Sequence, residues 1–223
     1  MKHQHWGLAW CLAALCCVPV ATAATVLERI SAGGKLVIAH RESSVPFSYL
    51  TGTAPAGFSV DLSNAVVEAV KKQLKMPDLK VELQSVTSQN RIPLLQNGTI
   101  DLECGSTTNN SDRAKQVTFA INYFYTGTRF LVKADSGIKK LGDLNNKVVV
   151  STTGTTNFRI MRNLITEQKL PIELIGAKDH SESALLVESG RAAAFAMSAS
   201  AAARNSGSAS RIVTSEPRRF QTE

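Results

Sequence analysis

The sequence predicts an α/β protein of two lobes with a cleft between them, residues 24–128 forming the first lobe and 129–223 the second. Three observations predict it. Short apolar runs suited to buried strands alternate with segments of helical periodicity. The alternation restarts near Arg129, after one strand–helix series is complete. Polar clusters stand directly after four of the expected strands, where open α/β sheets take their ligands.

The first 23 residues read as an export signal, outside either lobe. Lys2 opens a basic start, Trp6 to Val20 is nearly continuous apolar residue, and Ala21-Thr22-Ala23 supplies small residues at a cleavage spacing. A membrane anchor is the rival, but a spanning helix needs roughly 20 apolar residues. Cys11, Cys16 and Cys17 raise a lipid anchor. Leu15 and Cys16 precede the latter two, where lipidation wants a small residue. Cleavage after Ala23 leaves one cysteine, Cys104, which cannot form an internal disulfide. The expected product is a soluble protein outside the cytoplasm, in the periplasm of a host with two membranes.

Leu36-Val37-Ile38-Ala39, following Gly33-Gly34, suits a buried strand. Ser59 is placed to cap a helix in which Leu62, Val66, Val70 and Leu74 recur every four residues. Asp61 near its start and Lys71, Lys72 and Lys75 near its end match the helix dipole, and Met76-Pro77 stops it. Val81 to Val86 reads as a strand, Asn90 to Asn97 as a short helix closed by Gly98, and Ile100 to Cys104 as a strand. In the second series Arg129 to Lys133 and Lys147 to Ser151 are strands, and Phe158, Met161 and Ile165 mark a helix. Ile172 to Ile175 is a strand and Ser181 to Ser189 a helix stopped by Gly190. Ala193 to Met197 and Ile212 to Thr214 are strands. Ser198 to Ser210 is Ser/Ala-rich, a poor helix or a loose linker.

At 43% hydrophobic and 19% charged, the 223-residue chain is globular in composition, which excludes disordered, collagen-like and coiled-coil classes. The net charge of +7 is scattered, with no aromatic–basic alternation, so nucleic acid is not an expected partner. A positive field does favour a small anion. Phosphate-loop, dinucleotide, zinc-protease and C-x-x-C motifs are absent after Ala23, so no cofactor or metal is expected. Cys104 and His180 form a conceivable nucleophile–base pair, although a lone strand cysteine is ordinarily inert packing.

The polar clusters carry more. They are His40-Arg41-Glu42-Ser43-Ser44, Thr87-Ser88-Gln89-Asn90-Arg91, Gly105-Ser106-Thr107-Thr108 and Thr152-Thr153-Gly154-Thr155-Thr156. Taken singly, each is explained equally well by capping and turn formation. Four in one chain, two with an arginine, point to a carboxylate site, because a guanidinium meets a carboxylate with two parallel hydrogen bonds.

The run GFSVDLSNAVVEAV at 57–70 resembles the signature of bacterial family 3 solute-binding proteins, which deliver amino acids to membrane transporters; Ser59 stands where many members have an acid. The likeness continues through NRIPLLQNGTIDLECGSTT, DRAKQVTFA, LGDLNNKVVVSTTGTT and LVESGRAAAF. HRESSVPFSY, TSQNRIPLLQNGT and AKDH narrow it to the family's glutamate/aspartate-binding group. The resemblance implies a type II periplasmic-binding fold closing on one L-glutamate or L-aspartate, without catalysis. It also implies a monomer that works with the membrane permease of an ABC transporter. Carried over by motif, Arg91 grips the α-carboxylate, with Ser88, Ser106, Thr108, Thr155 and Thr156 adding hydrogen bonds. Arg41 and His180 favour the side-chain carboxylate, and Arg113 is a supporting cation. Residue by residue, His180 is also explained as a helix-start residue before a Ser181 cap, and Arg113 as a solvated charge.

Two departures stand out. Ser198-Ala199 replaces an acidic pair whose first member is the expected partner of the ligand's ammonium group. The chain also stops at Glu223, where the family's strand would cross back to the first lobe. A fragment, a degraded gene and a frameshift near Met197 are all open readings, and the expectation is a poorly stable product. Two alternatives to a transport protein remain at this level. One is an enzyme similar to periplasmic cyclohexadienyl dehydratases, which needs a catalytic acid that no residue here matches by motif. The other is a sensor-associated domain, which needs a fused membrane segment.

Overall fold

The computed structural model describes residues 24–198 and 210–213. The export-signal segment and the Ser/Ala-rich tract from Ala199 to Ala209 lie outside the described residues. Among the described residues, no helix is long and apolar enough to cross a membrane.

The first series runs α1 (Val26–Ser31), β1 (Leu36–His40), β2 (Ser43–Ser44), β3 (Ser48–Thr51), β4 (Ala54–Ala56), α2 (Phe58–Leu74), β5 (Val81–Ser85), α3 (Arg91–Gln96), β6 (Leu102–Glu103) and α4 (Ser111–Ala114). Parallel pairing gives the order β5-β1-β6, with Leu36 opposite Val81 and Ile38 opposite Leu102. The strand alternation of β1 divides the core. Leu36 and Ile38 pack with Ile30, Val67 and Leu79 on one face, and Val37 and Ala39 with Val86 and Ile100 on the other.

Two expectations for α2 are corrected. The residue before its first turn is Gly57, at φ 115° with no side-chain cap; a Cβ there would lie 2.6 Å from the Phe47 carbonyl oxygen, so only glycine fits. Ser59 lies inside the helix, fully buried, with its hydroxyl 3.0 Å from the Gly105 carbonyl. The buried residues are Ser59, Ser63 and Val67, with Val70 and Leu74 partly buried beside them, while Val66 is exposed. A four-residue repeat drifts around a 3.6-residue helix, and Ser63 was passed over because it is polar. The helix ends at Lys75 in a left-handed conformation that bonds back to Lys71 and Lys72, one residue before Met76-Pro77.

The second series runs β7 (Thr128–Lys133), a 3-10 turn (Leu141–Leu144), β8 (Val148–Thr152), α5 (Thr156–Gln168), β9 (Glu173–Ala177), α6 (His180–Glu188), β10 (Ala194–Ser198) and β11 (Ser210–Val213). The sheet order is β11-β7-β10-β8-β9; β10, β8 and β9 are parallel, and β7 is antiparallel to both its neighbours. Phe130, Val132, Val149, Ala194 and Ala196 face a core shared with Met161 of α5. Leu131, Val150, Phe195 and Met197 face one shared with Val187 of α6. Each fully buried aliphatic or aromatic side chain of this kind contributes about 1.5–3 kcal/mol. The α/β class is therefore as the sequence predicts. The small antiparallel sheet β2-β3-β4 is not foreseen, because its strands are too short to show a period.

Candidate functional site

The polar clusters fall at the C-terminal ends of β1, β5, β6 and β8, and local hydrogen bonds hold each in place. Arg41 follows β1 directly. Its backbone N–H donates to Ser48 Oγ at 2.8 Å, and that hydroxyl lies 3.3 Å from the Arg41 carbonyl, so β3 clamps the residue. After β5, the Thr87 N–H donates to Asn90 Oδ1 and the Asn90 N–H to Thr87 Oγ1, a reciprocal turn that delivers Arg91 as the first residue of α3. Arg41 Nη1 donates to Ser88 Oγ at 2.9 Å.

Arg41 and Arg91 are 1% and 2% exposed, and are the two bulkiest fully buried side chains described. Arg91 Nε and Nη1 have no hydrogen-bond partner. Its ion-pair partner is Glu103 at the end of β6, with Oε1 3.8 Å from Nη1, beyond hydrogen-bond reach. Glu103 Oε2 accepts from the Thr107 hydroxyl at 2.6 Å. Burial first, then the neighbouring Arg91 charge, lowers Arg41 to about 10, against the pull of Glu103, Asp179 and Glu42; burial likewise lowers Arg91, against the pull of Glu103. Two unmet donors on a buried cation cost about 1–3 kcal/mol each, so this corner is built to receive acceptors.

The facing side presents hydroxyls, an imidazole and the Asp179 carboxylate. Thr155 caps α5, accepting from the Phe158 N–H at 3.1 Å, and Thr156 Oγ1 is buried without a partner. His180 is the first residue of α6 and Asp179, not Ser181, is its cap: Asp179 Oδ1 accepts from the Glu182 N–H at 3.0 Å. His180 Nδ1 lies 2.7 Å from Thr152 Oγ1, which in turn lies 2.9 Å from Ser183 Oγ. Burial, then the Arg41 and Arg91 charges, push the imidazole down to about 3 against the pull of Asp179. It is a neutral hydrogen-bonding group at neutral pH.

Arg113 in α4 joins the two series. Its Nη1 donates to the Thr108 carbonyl and its Nη2 to the Gly154 carbonyl, each at 2.9 Å. Burial, then the Arg91 charge, brings it down to about 10. Beside it Asp112 pairs with Arg159 of α5. Ser106 donates to Ser44 Oγ at 3.3 Å, and the Thr108 carbonyl, not its side chain, is what Arg113 holds among the described residues. Thus Arg41, Ser88 and Arg91 form one contiguous group and Thr155, Thr156 and His180 the facing one, with Arg113 spanning between. Ser106 borders the first through Ser44.

Sequence reading did not single out Glu103, Asn157 or, within its cluster, Thr152. Glu103 had a signal, since with Asp101 it is one of two acids alternating with apolar residues in the expected strand Ile100 to Cys104. Thr152, with Ser183, had none beyond lying at a strand end. The imagined Cys104–His180 pair is not formed: the Cys104 thiol lies 3.8 Å from the Tyr123 hydroxyl, burial raises its pKa, and the His180 Nδ1 bond goes to Thr152.

The chain is similar to known proteins in sequence and fold. A glutamate/aspartate import solute-binding protein of Escherichia coli (strain K12) is 53% identical over 176 residues, 78% of this chain and 58% of its own length. An L-glutamate/L-aspartate-binding protein of Pseudomonas aeruginosa is 52% identical over 174 residues, 77% of this chain and 57% of its own. The chain therefore spans under two thirds of the curated relatives it matches. Among solved structures, an ancestral amino acid-binding protein described as a precursor of cyclohexadienyl dehydratase superposes with TM-score 0.73 at 27% identity, covering 85% of this chain and 81% of its own. An ancestral arginine-binding protein bound to arginine gives 0.69 at 28%, covering 81% and 78%. The model of the bacterial extracellular solute-binding proteins, family 3, matches residues 36–214, and with strand-end polar clusters on two α/β sheets in its company, the chain belongs to that family.

Proposed function

We propose that the chain is the substrate-binding part of an amino-acid ABC importer, held in the periplasm, that presents L-glutamate or L-aspartate to a membrane permease without catalysis or cofactor. Residues 24–128 and 129–223 act as its two lobes. The observation that carries the reading is the pair of buried guanidiniums, Arg41 and Arg91, with two unpartnered donors on Arg91. In this reading Arg91 takes the α-carboxylate, with Ser88, Ser106, Thr108, Thr155 and Thr156 supporting it. Arg41, with neutral His180 donating a hydrogen bond, takes the second carboxylate, and Arg113 holds the lobes together around them. The glutamate/aspartate-binding names of the relatives support it. Calorimetric titration is the test. Glutamate is expected to bind far more tightly than glutamine, because a neutral amide leaves a buried cation poorly paired, at about 2–5 kcal/mol. Equal affinity for the two overturns the reading, and turnover of prephenate or arogenate by the pure protein moves the chain to the enzymes.

A further inference from the structure

At the Arg91 end of the cleft, buried polar atoms of both kinds are unsatisfied beside one another. Arg91 Nε and Nη1 are donors without partners, and Glu103 Oε1 is an acceptor without one, 3.8 Å from Nη1. A direct bond would satisfy both residues, yet the Glu103 carboxylate is held back from it. Its Oε2 accepts from the Thr107 hydroxyl at 2.6 Å, and its Oε1 lies against Gly105, where any Cβ would collide with it. That same Cβ would lie 3.3 Å from Arg41 Cγ, so the free oxygen borders the strand-end clusters. Other carboxylates serve other groups. Asp179 and Glu42 act on Arg41, and Asp112 pairs with Arg159. On the facing side Ser198 offers only a hydroxyl, which accepts from Asn157 Nδ2 at 3.4 Å.

A ligand that satisfies these atoms must accept from Arg91 and donate to Glu103 within a very short span. An α-amino acid does so, because its carboxylate and its ammonium group are attached to one carbon. We infer that Glu103 Oε1 is the acceptor for the ligand's ammonium group, and that Glu103 thereby selects α-amino acids over plain dicarboxylates. This rests on reading Arg91 as the partner of the α-carboxylate. With the ligand seated, the charges alternate: Arg91 against carboxylate, ammonium against Glu103, and Glu103 against Arg91. Each buried charge then has an opposite neighbour, the condition under which burying charge is tolerable. A dicarboxylate lacking the amino group leaves Oε1 unmet and sets a second negative charge beside it.

The experiment is calorimetric titration of the full chain, Glu103→Gln and Glu103→Asp with glutamate, glutarate and glutamine at neutral pH and one salt concentration. The wild-type chain is expected to bind glutamate about tenfold or more tighter than glutarate. Glu103→Gln keeps the side chain's size and loses its charge. It is expected to weaken glutamate by about tenfold or more and to leave glutarate unchanged or tighter, since the carboxylate that repelled it is gone. A residue that only braced Arg91 would weaken both ligands. Glu103→Asp draws the charge back by one methylene and is expected to move the ratio the same way by less; it decides if the Gln variant fails to fold. Glutarate matching glutamate on the wild-type chain, or equal losses for the two ligands in the variants, overturns the inference and leaves the proposed function standing. Glutamine binding as tightly as glutamate, or no binding by any of the three, overturns the underlying reading as well.

Discussion

Arg91 and Arg41 stand side by side, yet their surroundings assign them different work. Arg91 carries unmet donors and leans on Glu103, whereas Arg41 already donates to Ser88. Arg91→Ala is expected to weaken every amino acid and Arg41→Ala the acidic ones selectively, each by about 2–5 kcal/mol where a buried pairing is lost. Titration with glutamate and glutamine checks this, and identical selectivity profiles would mean the roles are misassigned. His180 makes a prediction about pH. Its folded pKa, about 3, lies below its ordinary value of 6.5, so the fold favours the neutral ring. Above 6.5 folded and unfolded chains are both neutral there, and the contribution is complete. As pH falls below 6.5 the unfolded chain takes up a proton that the folded one refuses. Stability should therefore fall by up to about 1.4 kcal/mol per pH unit toward the folded value. Between pH 6.5 and 5, above the range where carboxylates protonate, His180→Gln is expected to flatten the unfolding midpoint against pH. An unchanged slope would place the titration elsewhere.

The elements position these groups by ending where they do. The turn after β8 shows how little freedom remains. Gly154 has φ 73°, and a Cβ there would lie 2.8 Å from Ser88 C and Gln89 N, backbone atoms of the opposite series. Gly154→Ala thus meets both a left-handed conformation, worth about 1–2 kcal/mol, and a clash with main chain that cannot step aside. It should weaken ligand binding and enlarge the unliganded molecule, as read by calorimetry and small-angle scattering. Unaltered affinity and dimensions would show that the lobes do not need this contact. At this scale much of the sequence was legible, because β1, β5, β8, β10 and the helices between them are long enough to display a period. The register of α2 and the cap of α6 were not. Ser63 is buried although polar, and Asp179 caps although Ser181 is an equally good capping residue; neighbours outside the local window decide both.

At the scale of the molecule, polar contacts that tie the series together among the described residues include Arg113 to the Gly154 carbonyl and Asp112 to Arg159. The ion pair is 43% and 57% exposed, and pairs in water contribute about 0–1 kcal/mol. Asp112→Asn is therefore expected to shift the unfolding midpoint only slightly, and a large drop would reveal a stronger coupling. Ligand should matter more, since a site filled at a hundred times its dissociation constant adds about 2.7 kcal/mol to stability. A thermal melt that glutamate and glutarate both fail to raise would contradict a carboxylate cleft between these sheets.

By itself the sequence determined the α/β class, the restart into a second series, and the strand-end positions of Arg41, Ser88, Arg91 and the Thr155-Thr156 turn. Those properties follow from apolar period and from residue types that stand next to one another in the chain. Tertiary structure alone decided that Glu103 balances Arg91, that Thr152 holds His180, and that the imidazole is neutral. Each depends on groups 12 to 139 residues apart being enclosed together, since burial and the charge of Arg41 act on His180 through space. Desolvation and Coulomb interaction depend on distance and enclosure, which no local pattern encodes.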